Sequence, residues 1–180
     1  MSRLLILDDE PNVTSALLRV LKRHLPLHVR VEAFNDPVKA LDRTRECAFD
    51  VILSDYRMPQ MDGITFLQSV KATQEHAVRM ILSASTEVDT IMKAINDVEA
   101  FRYLTKPWME TELVEQIQQA LQRSEREREE RNLADDMRAQ RGDLSPQARE
   151  LKRLEELEPG QTRVEWGPHG EVLMPPLEQP

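Results

Sequence analysis

The chain has 180 residues, with 32 Asp and Glu against 24 Lys and Arg and a net charge of -8. That length holds one α/β domain and an appendage rather than two full-size domains, and the acidic balance argues against a nucleic-acid partner, whose phosphates need a basic surface. The single cysteine, Cys47, excludes an internal disulfide and a cysteine-based zinc site, and reads as a packing residue near a helix end. No apolar run approaches the roughly 20 residues that span a bilayer. The N-terminus passes straight from Leu4–Leu7 into two aspartates, unlike a signal peptide. The expectation is a cytoplasmic protein without a membrane partner.

Strand and helix signals alternate over the first 120 residues, the pattern of a parallel sheet covered on both faces. Leu4–Leu7 is a short continuous apolar run, as in a strand buried on both sides. Pro11 opens a helix with an apolar stripe of Val13, Leu17, Leu18 and Leu21. Val29–Phe34 reads as the second strand, and Asp36-Pro37 caps a helix carrying Val38 and Leu41. Val51–Leu53 is the third strand, ending at Ser54-Asp55, and after Gly63 a helix carries Phe66, Leu67 and Val70. Val78–Leu82 is the fourth strand, Val88–Ile95 a helix and Phe101–Leu104 the fifth strand. A last helix starts at Glu110 and buries Leu113, Val114, Ile117 and Leu121. The predicted unit is a doubly wound (βα)5 domain over residues 1–121.

The composition then changes. Ser124–Arg131 is wholly polar and alternates in sign, which predicts a solvated helix rather than a core element. Apolar residues return at Leu133, Met137 and Leu144, Gly142 reads as a helix stop, and Ser145-Pro146 starts another helix bearing Leu151, Leu154 and Leu157. Residues 122–160 are therefore expected to form a helical extension, either a coiled coil or a helical hairpin. Val164 and Trp166, a Gly-Pro-His-Gly turn and Val172–Met174 predict a short hairpin within 161–180, closed by a loose Pro-rich end. From residue 121 onward there are 14 acids against 10 bases, and no P-loop, basic helix-turn-helix or His-Asp metal motif. A further enzyme or DNA-binding unit with its own core needs about 60 residues or more, so this part suits dimerisation or docking on a partner.

Five segments carry the chemistry: Asp8-Asp9-Glu10, Asp55, Met58–Gly63, Ser83-Ala84-Ser85 and Lys106-Pro107. Singly, an acidic pair after a strand is a helix cap, a Lys-Pro a loop and a Ser a turn. Here they follow four different strands of one predicted parallel sheet, whose carboxyl ends form the ligand-binding edge of such folds. Asp8, Asp9 and Asp55 supply hard oxygen donors suited to Mg²⁺. Asp55 is placed to attack a phosphorus centre whose oxygens are neutralised by the metal and by Lys106, with the Ser83 hydroxyl to bond a phosphoryl oxygen.

These motifs resemble those of response-regulator receiver domains of bacterial two-component signalling, over residues 3 to about 121. The resemblance implies a flavodoxin-like (βα)5 fold in which Asp55 accepts a phosphoryl group from a sensor histidine kinase or a phosphotransfer protein. It implies Mg²⁺ held by Asp9, Asp55 and the backbone carbonyl of Arg57, with Asp8 acting through water. It also implies phosphoryl contacts from Ser83 and Lys106, a cis Lys106-Pro107 peptide, and an aromatic switch at Tyr103. One departure stands out: such domains carry Gly-Ala before the fifth strand, where this chain has Glu99-Ala100, which puts the backbone of that loop in question.

The function these readings favour is a phospho-accepting module, not an enzyme, that controls a homodimer or an unidentified output protein. Two alternatives remain at this point. An aspartate-nucleophile phosphohydrolase also uses acidic pairs, Mg²⁺ and a lysine, although Asp8-Asp9-Glu10 lacks the Asp-x-Asp spacing of the haloacid-dehalogenase-like enzymes. A phosphorylation-independent adaptor is the other.

Overall fold

The computed structural model describes residues 1–84 and 98–157 and the strand pairs Glu165–Trp166 and Val172–Leu173. The element order is β1 (Ser2–Leu7), α1 (Pro11–His24), β2 (Val29–Phe34), α2 (Pro37–Glu46), β3 (Val51–Asp55), α3 (Gly63–Thr73), β4 (Val78–Ala84) and β5 (Arg102–Lys106). Two longer helices follow, α4 (Glu110–Gln140) and α5 (Pro146–Leu157), then β6 (Glu165–Trp166) and β7 (Val172–Leu173). The helix expected over Val88–Ile95 lies outside the described residues.

The first five strands form one parallel sheet in the order β2-β1-β3-β4-β5. The apolar runs of β1 and β3 are continuous because both faces of these inner strands are covered, whereas the edge strands β2 and β5 are mixed and only partly buried. Leu4, Ile6, Val51 and Leu53 point into one core with Leu17 and Leu21 of α1 and Leu113 and Ile117 of α4. Leu5, Leu7 and Ile52 point into a second core with Ala40 of α2 and Phe66, Leu67 and Val70 of α3. Two helix starts carry aspartate caps, that of α2 as the sequence suggests. Asp36 accepts the N–H groups of Val38 and Lys39 at 2.8 and 3.3 Å, and Asp62 accepts that of Thr65 at 2.8 Å.

The helix beginning at Glu110 passes residue 121 without a break and runs for 31 residues. Its polar stretch is not simply solvated, contrary to expectation. Ser124 is buried and its hydroxyl approaches Asp50 at 3.4 Å, while Arg128 pairs with the same carboxylate at 2.9 Å. Asp50 also accepts the backbone N–H of Arg3 at 2.7 Å, so one carboxylate ties β1, the start of β3 and the helical arm together. A sign-alternating run hides such a contact, because its partner is set by the fold and not by neighbours in sequence. Gly142, at φ +80°, ends α4, and the Ser145 hydroxyl caps α5 through the Ala148 N–H at 3.1 Å. α5 folds back on α4, with Lys152 bonded to Asp135 at 2.5 Å and Arg149 paired with Asp136, giving a helical hairpin. β6 and β7 pair antiparallel, as the alternating residues predict.

Glu99 has φ +50°, in the left-handed region that glycine adopts freely. Its carboxylate pairs with Lys71 at 2.9 Å and lies 3.6 Å from Arg79. The buried Arg79 guanidinium also donates to the carbonyls of Val98, Glu75 and Ala77 at 2.7 to 2.9 Å, which holds this loop against the start of β4. Exposed ion pairs contribute about 0–1 kcal/mol, whereas a side chain in the left-handed region costs roughly 1–2 kcal/mol. Glu99→Gly is therefore expected to raise stability by up to about 1 kcal/mol, read as a higher urea midpoint with an unchanged slope.

Candidate functional site

Strand register assembles the site. Leu7 of β1 lies opposite Ser54 of β3, so the next residues, Asp8 and Asp55, stand side by side at the carboxyl edge of the sheet. Asp55 in turn faces Leu82 of β4, and Ala84 faces Lys106 of β5. The Lys106 ammonium lies 2.7 Å from Asp8 Oδ2 and 2.6 Å from Asp55 Oδ1. Both carboxylates are buried, at 0% and 4% exposure. Their other oxygens are used locally: Asp8 Oδ1 accepts the Glu10 N–H at 2.9 Å, and Asp55 Oδ2 accepts the Arg57 N–H at 3.0 Å. The Lys106-Pro107 peptide is cis.

Two buried carboxylates share one ammonium, so the site carries excess negative charge. Burial pushes the Asp55 pKa up to about 6; Lys106 and the Arg57 N–H pull against this, while the charge of Asp8 adds to it. For Lys106, burial works downward but hydrogen bonds to Asp55 and Asp8 outweigh it, and the net shift is upward.

The other predicted residues lie around this group. Asp9 is half-buried beside Asp8. Among the described residues no three acidic, histidine or cysteine side chains converge as a set that could hold a metal ion. The chemistry of the donors nonetheless fits a hard divalent cation: two carboxylates already face one positive charge, with Asp9 next in sequence. Ser83 is buried at the end of β4, one residue beyond the partner of Asp55, and its hydroxyl approaches the Ala84 carbonyl at 3.4 Å. Tyr103 faces Ile81 across β4 and β5 and packs half-buried against the α2–α3 core. Arg57 is exposed.

Two supporting residues were not legible in this role. Asn35 donates to the Asp8 carbonyl at 2.7 Å and to the Thr14 hydroxyl at 3.0 Å, locking the end of β1 to α1 and β2. In the sequence it is only a polar residue before a helix cap. Gly63 reads as a helix start, yet a Cβ there would lie 2.1 Å from the Asp55 carbonyl oxygen, and its N–H bonds the Tyr56 carbonyl at 2.8 Å. The residue is small because α3 begins against the backbone of the acidic residue itself.

The family model of the response regulator receiver domain matches residues 4–118. The chain belongs to the response-regulator receiver family. It is 32% identical over 141 residues to the hydrogenase transcriptional regulatory protein HoxA of Bradyrhizobium diazoefficiens, covering 78% of this chain and 28% of that protein. It is 33% identical over 116 residues to the DNA-binding transcriptional regulator NtrC of Proteus hauseri, covering 64% and 24%. The chain thus spans about a quarter of the length of these relatives. Among solved structures it resembles the signal receiver domain of an HD domain-containing protein from Pseudomonas fluorescens Pf-5, with 31% identity, a TM-score of 0.65 and coverage of 71% of this chain and 92% of that one. Among the described residues no helix is long and apolar enough to cross a membrane.

Two outcomes follow from this geometry. Gly63→Ala is expected to cost about 1–3 kcal/mol, because the contact it meets is backbone and cannot swing away; urea denaturation measures it. Asp55 titrates near 6 in the fold against 3.8 for an ordinary aspartate. The stability contributed by its protonated form is therefore complete below about pH 4 and lost as pH rises through about 6. Asp55→Asn should match the wild type near pH 4 and exceed it by about 1–3 kcal/mol at pH 7.5 without metal. A gap of constant size across that range would show that the burial of Asp55 is not the cause.

Proposed function

We propose that Asp55 accepts a phosphoryl group from the phosphohistidine of a sensor kinase or phosphotransfer protein. The observation that carries this reading is the single Lys106 ammonium held between the buried carboxylates of Asp8 and Asp55. In the transfer the P–N bond of the donor breaks, a P–O bond to an Asp55 oxygen forms, and the leaving imidazole takes the electron pair and then a proton. Lys106 moves with the incoming charge, leaving the free carboxylate for a phosphoryl oxygen, and the Ser83 hydroxyl donates to another. Asp8, Asp9, Asp55 and the Arg57 carbonyl would hold Mg²⁺, which offsets charge on the phosphoryl oxygens when bound. In this reading the group stays on Asp55 until water hydrolyses it or it is passed on.

Phosphorylation adds about 1.5 to 2 negative charges at a site whose counter-charge is one lysine. Ser83 and Lys106 answer that charge by shifting, and Tyr103, two strands from Asp55 and only half-buried, turns with them. Such coupling is typically about 1–3 kcal/mol, a 5- to 150-fold change in partner affinity. In this reading residues 1–121 are the receiver and 122–160 the arm that passes the change on. Leu133 and Met137 of α4 and Leu151 and Leu154 of α5 are about half exposed, an apolar surface suited to pairing two arms or docking an output protein. The names of the relatives speak of transcription and DNA binding, and a docked output protein is one route by which this receiver would reach nucleic acid.

The test is intact-mass spectrometry after incubation with acetyl phosphate and Mg²⁺. One phosphoryl adduct is expected, lost in Asp55→Ala and lost when Mg²⁺ is chelated. An adduct that survives Asp55→Ala would move the acceptor elsewhere. Continuous turnover of p-nitrophenyl phosphate would favour the phosphohydrolase, and no adduct on a folded, Mg²⁺-binding chain would favour the adaptor.

A further inference from the structure

The end of the sheet opposite Asp55 carries a cleft that phosphotransfer does not use. It is an open cleft of about 1020 Å³ between the amino ends of β1, β3 and β4 and the arm formed by α4 and α5, just above the roughly 300–1,000 Å³ usual for small-molecule sites. Its charge runs against that of the chain. The protein carries -8 overall, yet the lining holds Arg3, Arg128, Arg131, Lys152 and Arg153 against only Asp50 and Glu75. Asp50 is already engaged by Arg128 and by the Arg3 N–H. Lys152 draws its partner, Asp135, from outside the lining. The guanidinium groups of Arg3 and Arg153 form no ion pair or hydrogen bond among the described residues.

The floor is apolar. Phe49 and Ala77 are buried at its base, and Leu151 of α5, 55% exposed, faces the same space. A ligand covering Leu151 would remove apolar surface from water. The positive groups come from both walls: Arg128 and Arg131 lie one helical turn apart on α4, and Lys152 and Arg153 are adjacent on α5. Arginine forks suit bidentate phosphate oxygens. An extended acidic peptide spreads its charges at about 3.3 Å per residue, whereas these cationic groups are gathered around one open cleft.

We infer that the cleft binds a compact phosphate-bearing molecule with a flat apolar part, chemically a nucleoside diphosphate or triphosphate. The phosphates lie between Arg153 and Arg3, the ring rests on Leu151 and the Phe49–Ala77 floor, and the Asn132 amide, which also lines the space, is available to a ring edge. Because the walls belong to the arm and the floor to the sheet, the ligand joins the two and holds the arm down at the Arg128–Asp50 contact. This site is separate from the phosphoacceptor and does not depend on it.

The test is equilibrium dialysis of the full chain with ADP at low salt, with EDTA present to remove any metal-dependent binding at the Asp55 edge. Inorganic phosphate and a short poly-glutamate peptide are run in parallel. One ADP per chain is expected, bound at least about tenfold more weakly by Arg153→Glu, less weakened by Arg153→Gln, and unchanged in Asp55→Ala. Arg153 lies on an exposed helix, and circular dichroism of the variants confirms that they fold; Arg3→Glu provides the same loss from the opposite wall. No saturable binding up to about 1 mM ADP, or binding indifferent to both arginines, overturns the inference. So does loss of binding in Asp55→Ala, which would put the ligand at the other edge. Phosphate binding as tightly as ADP removes the role of the apolar floor, and binding of poly-glutamate alone makes the cleft a protein-docking groove.

Discussion

The pairing of one lysine with two buried aspartates is the interaction on which the rest of the structure turns. Burying Asp8 and Asp55 at adjacent strand ends is unfavourable by itself, and Lys106 compensates only one of the two charges. What remains is a carboxylate that is costly to ionise, chiefly because it is buried and further because of the Asp8 charge, as the raised Asp55 pKa shows. A fold that spends stability to keep such a site is poised to respond when its charge balance changes, whether by protonation, a cation or a phosphoryl group.

The site needs support that is mostly backbone. Asn35 holds the carbonyl of Asp8, the Arg57 N–H holds one oxygen of Asp55, and α3 begins so close to the Asp55 carbonyl that only glycine fits at 63. These contacts fix where the carboxylates point without adding charge of their own. The loop before β5 is treated differently: Glu99 accepts a left-handed backbone and is held from the side by Lys71 and Arg79. Side-chain ion pairs there stand in for the conformational freedom of glycine.

The arm shows a similar trade. Its composition is that of a solvated, charge-alternating helix, and most of its side chains are exposed as that implies. A single acidic residue on the sheet, Asp50, is enough to select Ser124 and Arg128 as the docked face. α5 then folds back through ion pairs with Asp135 and Asp136, and a cationic cleft opens between arm and sheet. The two ends of the sheet therefore carry opposite surplus charge, negative around Asp55 and positive around Arg153.

Much of this was legible in the sequence because it is local. Apolar runs of three or four residues, proline at first helical positions and an Asp cap specify elements one at a time, and the acidic, hydroxyl and lysine residues at successive strand ends reveal the edge that gathers them. The resemblance to receiver domains rests on the same short segments, and the matched family bears it out over residues 4–118. The sequence also flagged the unusual glutamate at 99. Only the tertiary structure could decide that Lys106 sits between Asp8 and Asp55, that Gly63 is needed by the backbone of Asp55, that Asn35 serves Asp8, and that Arg128 rather than its neighbours docks on Asp50. Each of these depends on strand register or on helix placement between residues separated by 8 to 98 positions, and periodicity along the chain carries no information about such pairs.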